Sequence, residues 1–403
     1  MILTDWLREI PNDWECVPAW SLFSERSEKA DAGAIHLTPS QVYGVLPQIE
    51  YMEITGSRVV LNLAGTDSMK AVYEGDFISH LRSFQGGIEQ SSLRGKVSQA
   101  YTVMRPSERV YSGYFRYLMK SRIFIAQLNN LTDQLRDGQT INYARFARMG
   151  LPLPPMDTQR TITRYLDCET GEIDAMLATL DELTETLRLR RAQVIQSAVR
   201  SSRSIGIGLM LDVKLGKMLQ TKPKSPTDRL QPYLRAAHIQ PGGRLDLAID
   251  TKEMYFSESE AEALSLCAGD AVIVEGGAGF GRAAYLTEDM PGWGFQNSII
   301  RLRGAISDTR YAVYALQAAL ESGEIAIACN AATFAHFTAE KVEGFRIPYH
   351  GTDEHQCIAD HLDKVTGRIN AMLATIDELK ALLVERRAVL ITDVVTGRKK
   401  VPA

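Results

Sequence analysis

The 403-residue chain lacks the features that would place it in a membrane, a disulfide scaffold or a common enzyme class. No apolar run approaches the ~20 residues needed to cross a bilayer. The opening stretch MILTDWLREIPNDW is acidic and broken by Pro11, unlike a secretory leader, so a cytoplasmic location is expected. The 5 cysteines (Cys16, Cys168, Cys267, Cys329, Cys357) are scattered, odd in number and without a CxxC pair. That pattern favours reduced thiols over a disulfide framework or a zinc ribbon.

Catalytic motifs are scarce as well. No Asp/Asn-Pro-Pro-aromatic element, which an amino-methyltransferase uses to hold a flipped base, is present; LPPM and RIPYH lack the leading carboxylate or amide. GGAGFG (276–281) follows AVIVE and leads into RAAYL, which reads as another strand. A phosphate cradle needs a helix N-terminus after its glycines, so a tight turn is the better reading. His355, Cys357 and His361 cluster without a defensible metal spacing. The 7 histidines suggest no Ser/His/Asp arrangement, and Glu378-Leu379-Lys380 reads as a solvated helix face rather than a nuclease pair. No catalytic or metal-ligating residue, no cofactor and no small-molecule substrate is therefore expected for this chain.

What is present is ordinary globular material, 45% hydrophobic and 23% charged, in a length that suggests two to four units. The net charge of −4 argues against nucleic acid as a bulk property. It conceals two basic stretches. From Arg58 to Arg148 there are 13 Lys+Arg against 7 Asp+Glu, a net of +6, and from Lys214 to Arg235 there are 6 against 1, a net of +5.

The dominant signal is a repeat. AMLATLDELTETLRLRRA (175–192) returns as AMLATIDELKALLVERRA (371–388). The register holds without a gap from Asp157/Asp353 to Val199/Val395, at a constant offset of 196. So long a period is not a solenoid; it describes two halves, each a variable block followed by a helix. Ala, Leu, Met, Glu and Arg dominate both segments, and prolines precede but do not interrupt them. Ile173, Leu180, Leu187 and Val194 recur every seven residues, as do Ile369, Ile376, Leu383 and Leu390, with Leu177 and Leu373 beside them. Met176, Leu183, Met372 and Leu379 are expected to widen the stripes. A seven-residue apolar repeat is a coiled-coil seam, and each buried Leu or Ile stabilises by roughly 1.5–3 kcal/mol. Each helix therefore needs a partner, and its copy in the same chain is the nearest, giving an antiparallel pair with a pseudo-twofold axis.

The segments PLPPMDTQRTITRYLD and IPYHGTDEHQCIADHLD, each opening a long helix, carry a resemblance to the specificity (S) subunit of type I restriction–modification enzymes. The family pattern there is a proline-rich lead-in, Glu-Gln, Ile and then Leu-Asp. Thr158-Gln159 and Glu354-His355 each keep one half of the Glu-Gln pair, while Ile162 with Leu166-Asp167, and Ile358 with Leu362-Asp363, fit the rest. IPNDW (10–14) is similar to the start of a recognition domain, a tryptophan the second half lacks, and GDFI (75–78) and GDAVIV (269–274) resemble its internal Gly-Asp-strand element.

The resemblance implies an α/β fold: two globular target-recognition domains joined by two long antiparallel helices in an intramolecular coiled coil. Residues 1–150 form the first recognition domain, 151–204 a central conserved region with its spacer helix, 205–346 the second recognition domain, and 347–403 the C-terminal conserved region. It also implies a non-catalytic DNA-recognition subunit. Each domain reads one half of a split asymmetric target in double-stranded DNA, and the coiled coil sets the gap. The helices dock two methyltransferase subunits, with a restriction/translocase subunit joining for cleavage; S-adenosylmethionine, ATP and Mg reside on those partners. The competing reading is a coiled-coil adaptor that bridges two proteins without reading DNA.

Base edges are read by Arg or Lys on guanine and by Asn or Gln on adenine. The first block offers Arg82, Gln85, Gln90, Arg94 and Lys96 in a glycine-punctuated loop after the strand DFIS. The second offers Lys222 and Lys224 on a proline-stiffened loop, and Arg282, Gln296 and Asn297. Trp293 and Phe295 beside that amide pair read more simply as loop packing. YFRYLMKSRIFIAQL (114–128) and RYAVYALQAALESG (310–323) are predicted helices at corresponding places. Tyr111, Tyr114, Phe115 and Tyr117 are expected in the core, with Arg116 and Lys120 outward.

Overall fold

The computed structural model describes residues 7, 10–56, 69–79, 87–130, 143–329 and 336–402. The chain divides into two compact units, Met1–Leu180 with Glu378–Ala403, and Asp181–Asp377. Each long helix contributes residues to both units. Among the described residues, no helix is long and apolar enough to cross a membrane.

The first unit runs through β1 (Glu15–Pro18), β2 (Phe23–Glu25), β3 (Leu37–Ser40), β4 (Gly44–Pro47), α1 (Gln48–Thr55), β5 (Lys70–Val72), β6 (Phe77–Ser79), β7 (Ile88–Gln90), β8 (Gly95–Val97) and β9 (Val103–Pro106). It continues through α2 (Ser112–Lys120), α3 (Arg122–Asn130), α4 (Tyr143–Phe146) and β10 (Gly150–Leu153) into α5 (Met156–Val199). An antiparallel sheet of order β2-β9-β6-β7 carries the core. There Phe23 meets Phe77 and Phe115 edge-on, with both centroid distances 5.3 Å. β1 pairs with β10 directly ahead of α5, so the first strand lies at the root of the helix.

The second unit repeats the plan with β11 (Ser204–Gly206), β12 (Asp212–Leu215), β13 (Arg229–Leu234), β14 (Glu253–Phe256), α6 (Glu258–Ala263), β15 (Ala271–Val274), β16 (Ala283–Tyr285), β17 (Gly294–Phe295) and β18 (Ile299–Arg303). It closes with α7 (Ile306–Glu321), α8 (Glu324–Ala328), α9 (Ala339–Gly344), β19 (Arg346–Pro348) and α10 (Thr352–Val395). The sheet β12-β18-β15-β16 matches the first unit's central sheet, and β11-β19 matches β1-β10. An additional sheet, β14-β13-β17, has its β13–β17 edge parallel. GGAGFG forms the turn between β15 and β16, as its flanking strands predict.

α5 and α10 each contain 44 residues, and the sequence offset of 196 reproduces both ends, Met156 with Thr352 and Val199 with Val395. Each spans about 66 Å at 1.5 Å per residue. In the first unit, the start of α5 lies antiparallel to the end of α10: Ile162 and Leu166 share a core with Leu390, Ile391, Val394 and Val395. Farther along, Arg387 binds Asp174 at 3.0 Å. In the second unit, Ile195 and Val199 near the end of α5 share a core with Leu362 and Ile358 near the start of α10.

The heptad residues Ile173, Ile369, Ile376, Leu383 and Leu390 are buried, and Leu177, Leu180, Leu187, Val194 and Leu373 are half-buried. The expected widening is corrected. Met176, Leu183, Met372 and Leu379 are 41–53% exposed, because a two-helix seam covers only a narrow stripe of each cylinder.

Each unit's α-helix is bolted to the long helices by a pair of tyrosines three residues apart. In the first, Tyr114 Oη donates to Val395 O at 2.8 Å, and Tyr117 Oη donates to Asp167 at 2.7 Å beside Thr170 Oγ1. In the second, Tyr311 Oη donates to Pro348 O at 2.9 Å and reaches Val199 O at 3.3 Å, while Tyr314 Oη donates to Asp363 at 2.6 Å beside Thr366 Oγ1. Val395, Asp363 and Thr366 are the repeat counterparts of Val199, Asp167 and Thr170. Arg116 and Arg310 add ion pairs to the same two aspartates. Arg116 and Lys120 are exposed, in line with their expected outward position, whereas Tyr111, expected in the core, sits ahead of α2 and is 36% exposed.

The single helix expected over 114–128 is two helices. Ser121 takes an extended conformation between α2 and α3. Its Oγ donates to Leu118 O at 2.7 Å and accepts from Phe124 N at 3.4 Å, a serine capping the second helix.

Candidate nucleic-acid interface

The segment after β12 is bonded to the corner that carries two of the second unit's candidate residues, Gln296 and Asn297. Lys217 N donates to Phe295 O, and Asn297 N donates to Lys217 O at 2.8 Å, stitching this segment to the Gln296–Asn297 corner. Gly216 makes the approach possible: a Cβ there would lie 2.2 Å from Gln296 O. The Lys217 ammonium pairs with Glu260 and lies over the Phe256 ring. Although partial burial opposes it, this pairing holds the Glu260 carboxyl below its usual range.

Lys222 and Lys224 follow on an exposed loop. The loop is closed by Asp228, whose Oδ2 accepts from Lys224 N at 2.7 Å, Gln220 Nε2 at 3.1 Å and Ser225 N at 3.3 Å. The Lys224 N–H does most to hold that carboxyl below the usual range. Neither lysine ammonium has an ion-pair partner among the described residues, and the side-chain amides of Gln296 and Asn297, both half-buried, have no hydrogen-bond partner there. Arg282 is half-buried immediately before β16, its backbone held by Gly279 O and Val274 N. Phe295 is fully buried, and Trp293 packs on the same core and meets His238 edge-on at 6.2 Å. These aromatics are packing, as the sequence suggested.

Sequence reasoning missed Met218 and Leu219, 75% and 52% exposed between Lys217 and Gln220. An apolar pair inside a basic stretch was the available signal.

In the first unit, Gln90 is half-buried at the end of β7. Arg94 is exposed, 5.0 Å over the Tyr73 ring and 3.6 Å from Asp31. Arg26 covers the same ring at 4.4 Å while gripping Asp76 with two hydrogen bonds. Lys96 is only 4% exposed, and its ammonium donates to Ala32 O at 2.7 Å; it is spent inside the fold. Arg82 and Gln85 lie outside the described residues. His355 is fully buried against Asp308 at 2.7 Å and stacked on Tyr311 at 4.0 Å, whereas Cys357 and His361 are exposed.

Residues 207–381 match the family described as type I restriction modification DNA specificity domain. The chain is 28% identical over 100 residues, 24% of its length, to the type I restriction enzyme EcoKI specificity subunit of Escherichia coli K12, and this match spans 21% of that relative's length. A structure from work on complex assembly and conformational transition of the type I R-M system aligns with 96% of this chain and 98% of its own, at a TM-score of 0.73 and 16% identity. The HsdS subunit from Thermoanaerobacter tengcongensis aligns with 98% of this chain and 100% of its own, at a TM-score of 0.56 and 15% identity. At such identities the structural likeness is one of fold.

Proposed function

We propose that this chain, whose residues 207–381 match the type I restriction modification DNA specificity domain, is a specificity subunit that reads a split DNA sequence and scaffolds the enzymes acting there. Each unit reads one half of a bipartite, asymmetric duplex target, and the paired long helices fix the gap between halves. The chemistry belongs to partners: two methyltransferase subunits using S-adenosylmethionine, docked on the helices, and a restriction/translocase subunit using ATP and Mg.

The observation that carries this reading is that the segment leading into the exposed Lys222/Lys224 loop is bonded, at Lys217, to the corner that carries the unpartnered Gln296 and Asn297 amides. Cations that neutralise no carboxylate of their own suit phosphates, which position a protein on the duplex, and free amides suit base edges, which specify. A bridging adaptor has no use for this pairing of groups.

Binding of the full chain to random-sequence duplexes across a salt series tests it. Phosphate contacts give log K a slope of about −0.9 per contact against log salt. Lys222→Ala with Lys224→Ala is expected to flatten the slope by about 2 units while leaving the preferred sequence unchanged. Binding that is absent, or salt-independent, favours the adaptor.

A further inference from the structure

We propose that Met218 and Leu219 form a rigid apolar tip that enters the base stack of the bound duplex and opens one step; this rests on the DNA-reading function above. Both side chains point into solvent. Scattered exposed apolar residues are normal on protein surfaces, so exposure alone assigns nothing. What sets this pair apart is how it is held. On one side, Lys217 is fixed through its backbone to Phe295 and Asn297 and through its ammonium to Glu260. On the other, Gln220 is 8% exposed, its carbonyl accepts from Tyr255 N at 3.0 Å, and its amide binds Asp228. The two residues between these anchors are held at both ends.

The surroundings name the occupant. Lys217, just before the tip, bridges to Gln296 beside Asn297, whose amides are free, and the unpaired ammonium groups of Lys222 and Lys224 follow three and five residues after Leu219. An apolar protein surface would leave those groups unsatisfied as it covered the tip. A duplex satisfies all three kinds at once, with phosphates for the cations, base edges for the amides, and the base stack for the apolar pair. Met and Leu are among the side chains that wedge between base steps and kink DNA, and pyrimidine–purine steps are the easiest to open. The tip thus adds selectivity at a step that no hydrogen-bonding group reads.

The test uses the full chain and duplexes it enriches from a random-sequence pool, each carrying 2-aminopurine at one position in turn. Wild type is expected to raise the fluorescence several-fold at one step of the enriched site. Met218→Ala with Leu219→Ala abolishes that rise and weakens binding to the enriched duplex roughly 10-fold, the cost of a lost base-pair preference, with the salt slope unchanged. Met218→Leu preserves the response. If the chain enriches no sequence, the DNA-reading function itself fails. Enrichment with no fluorescent step in wild type, or a double-alanine variant that keeps both fluorescence and affinity, overturns the wedge alone.

Discussion

Tyr117 and Tyr314 show how much of this molecule is built by single hydroxyls. Each joins a unit's helix to an aspartate and a threonine one turn apart on a long helix. Tyr314→Phe removes the donor while keeping the ring, and is expected to lower stability by about 0.5–1.5 kcal/mol, measured by urea unfolding. No change would mean that Arg310 alone secures Asp363.

His238 supplies a pH prediction. It is fully buried, and its Nδ1 accepts from Arg235 N at 3.1 Å, which requires the neutral ring. Burial, followed by the nearby Arg235 charge, pushes its pKa down. A histidine whose folded pKa is depressed stabilises fully above its unfolded value of about 6.5 and loses that contribution as pH falls below it. His238→Asn keeps an acceptor without the titration, so the variant should lose less stability than wild type between about pH 6.5 and pH 5; parallel losses would contradict the assignment. These residue roles were the least legible in sequence. YFRY and RYAVY stand at corresponding places, but nothing in one string marks a hydroxyl's acceptor. Lys96 looked like a reader because burial is invisible in a basic loop.

At the scale of elements, the sequence was most informative. A proline-free stretch with a seven-residue stripe and an exact-offset copy leaves little room for anything but two equal helices, and the limits at 156–199 and 352–395 follow the offset. The same reasoning overreached at 114–128, where apolar spacing continues through Ser121 while its side chain ends one helix and caps the next. It also overestimated the seam. Periodicity reports which residues share a face, and the width of the covering partner decides which are buried. Leu166→Ala, at a fully buried position, should cost about 2–5 kcal/mol. Met176→Ala, 48% exposed, should stay within about 0.5 kcal/mol. Equal losses by thermal or chemical unfolding would mean the wider stripe is buried after all.

Whole-molecule behaviour follows from duplicated construction. The two units share a central sheet order, a strand pair at the root of a long helix and a tyrosine-bolted helix, while the loops carrying Arg94 in one and Lys222, Lys224 and Gln296 in the other differ entirely. Repeated framework with divergent loops suits the proposed reading of two unlike half-sites, and under that proposal sequence reveals the frame but not the letters. Duplicating one heptad in both long helices adds about 10.5 Å, which the spacer role translates into a gap about 3 base pairs longer with unchanged half-sites. The most direct measurement is enrichment of a random-sequence duplex pool by the full chain, followed by sequencing. The account predicts two short, dissimilar blocks of fixed letters separated by a constant unspecified gap, with substitutions at Gln296 and Asn297 changing one block only. A single contiguous or symmetric motif, or no enrichment at all, would contradict it.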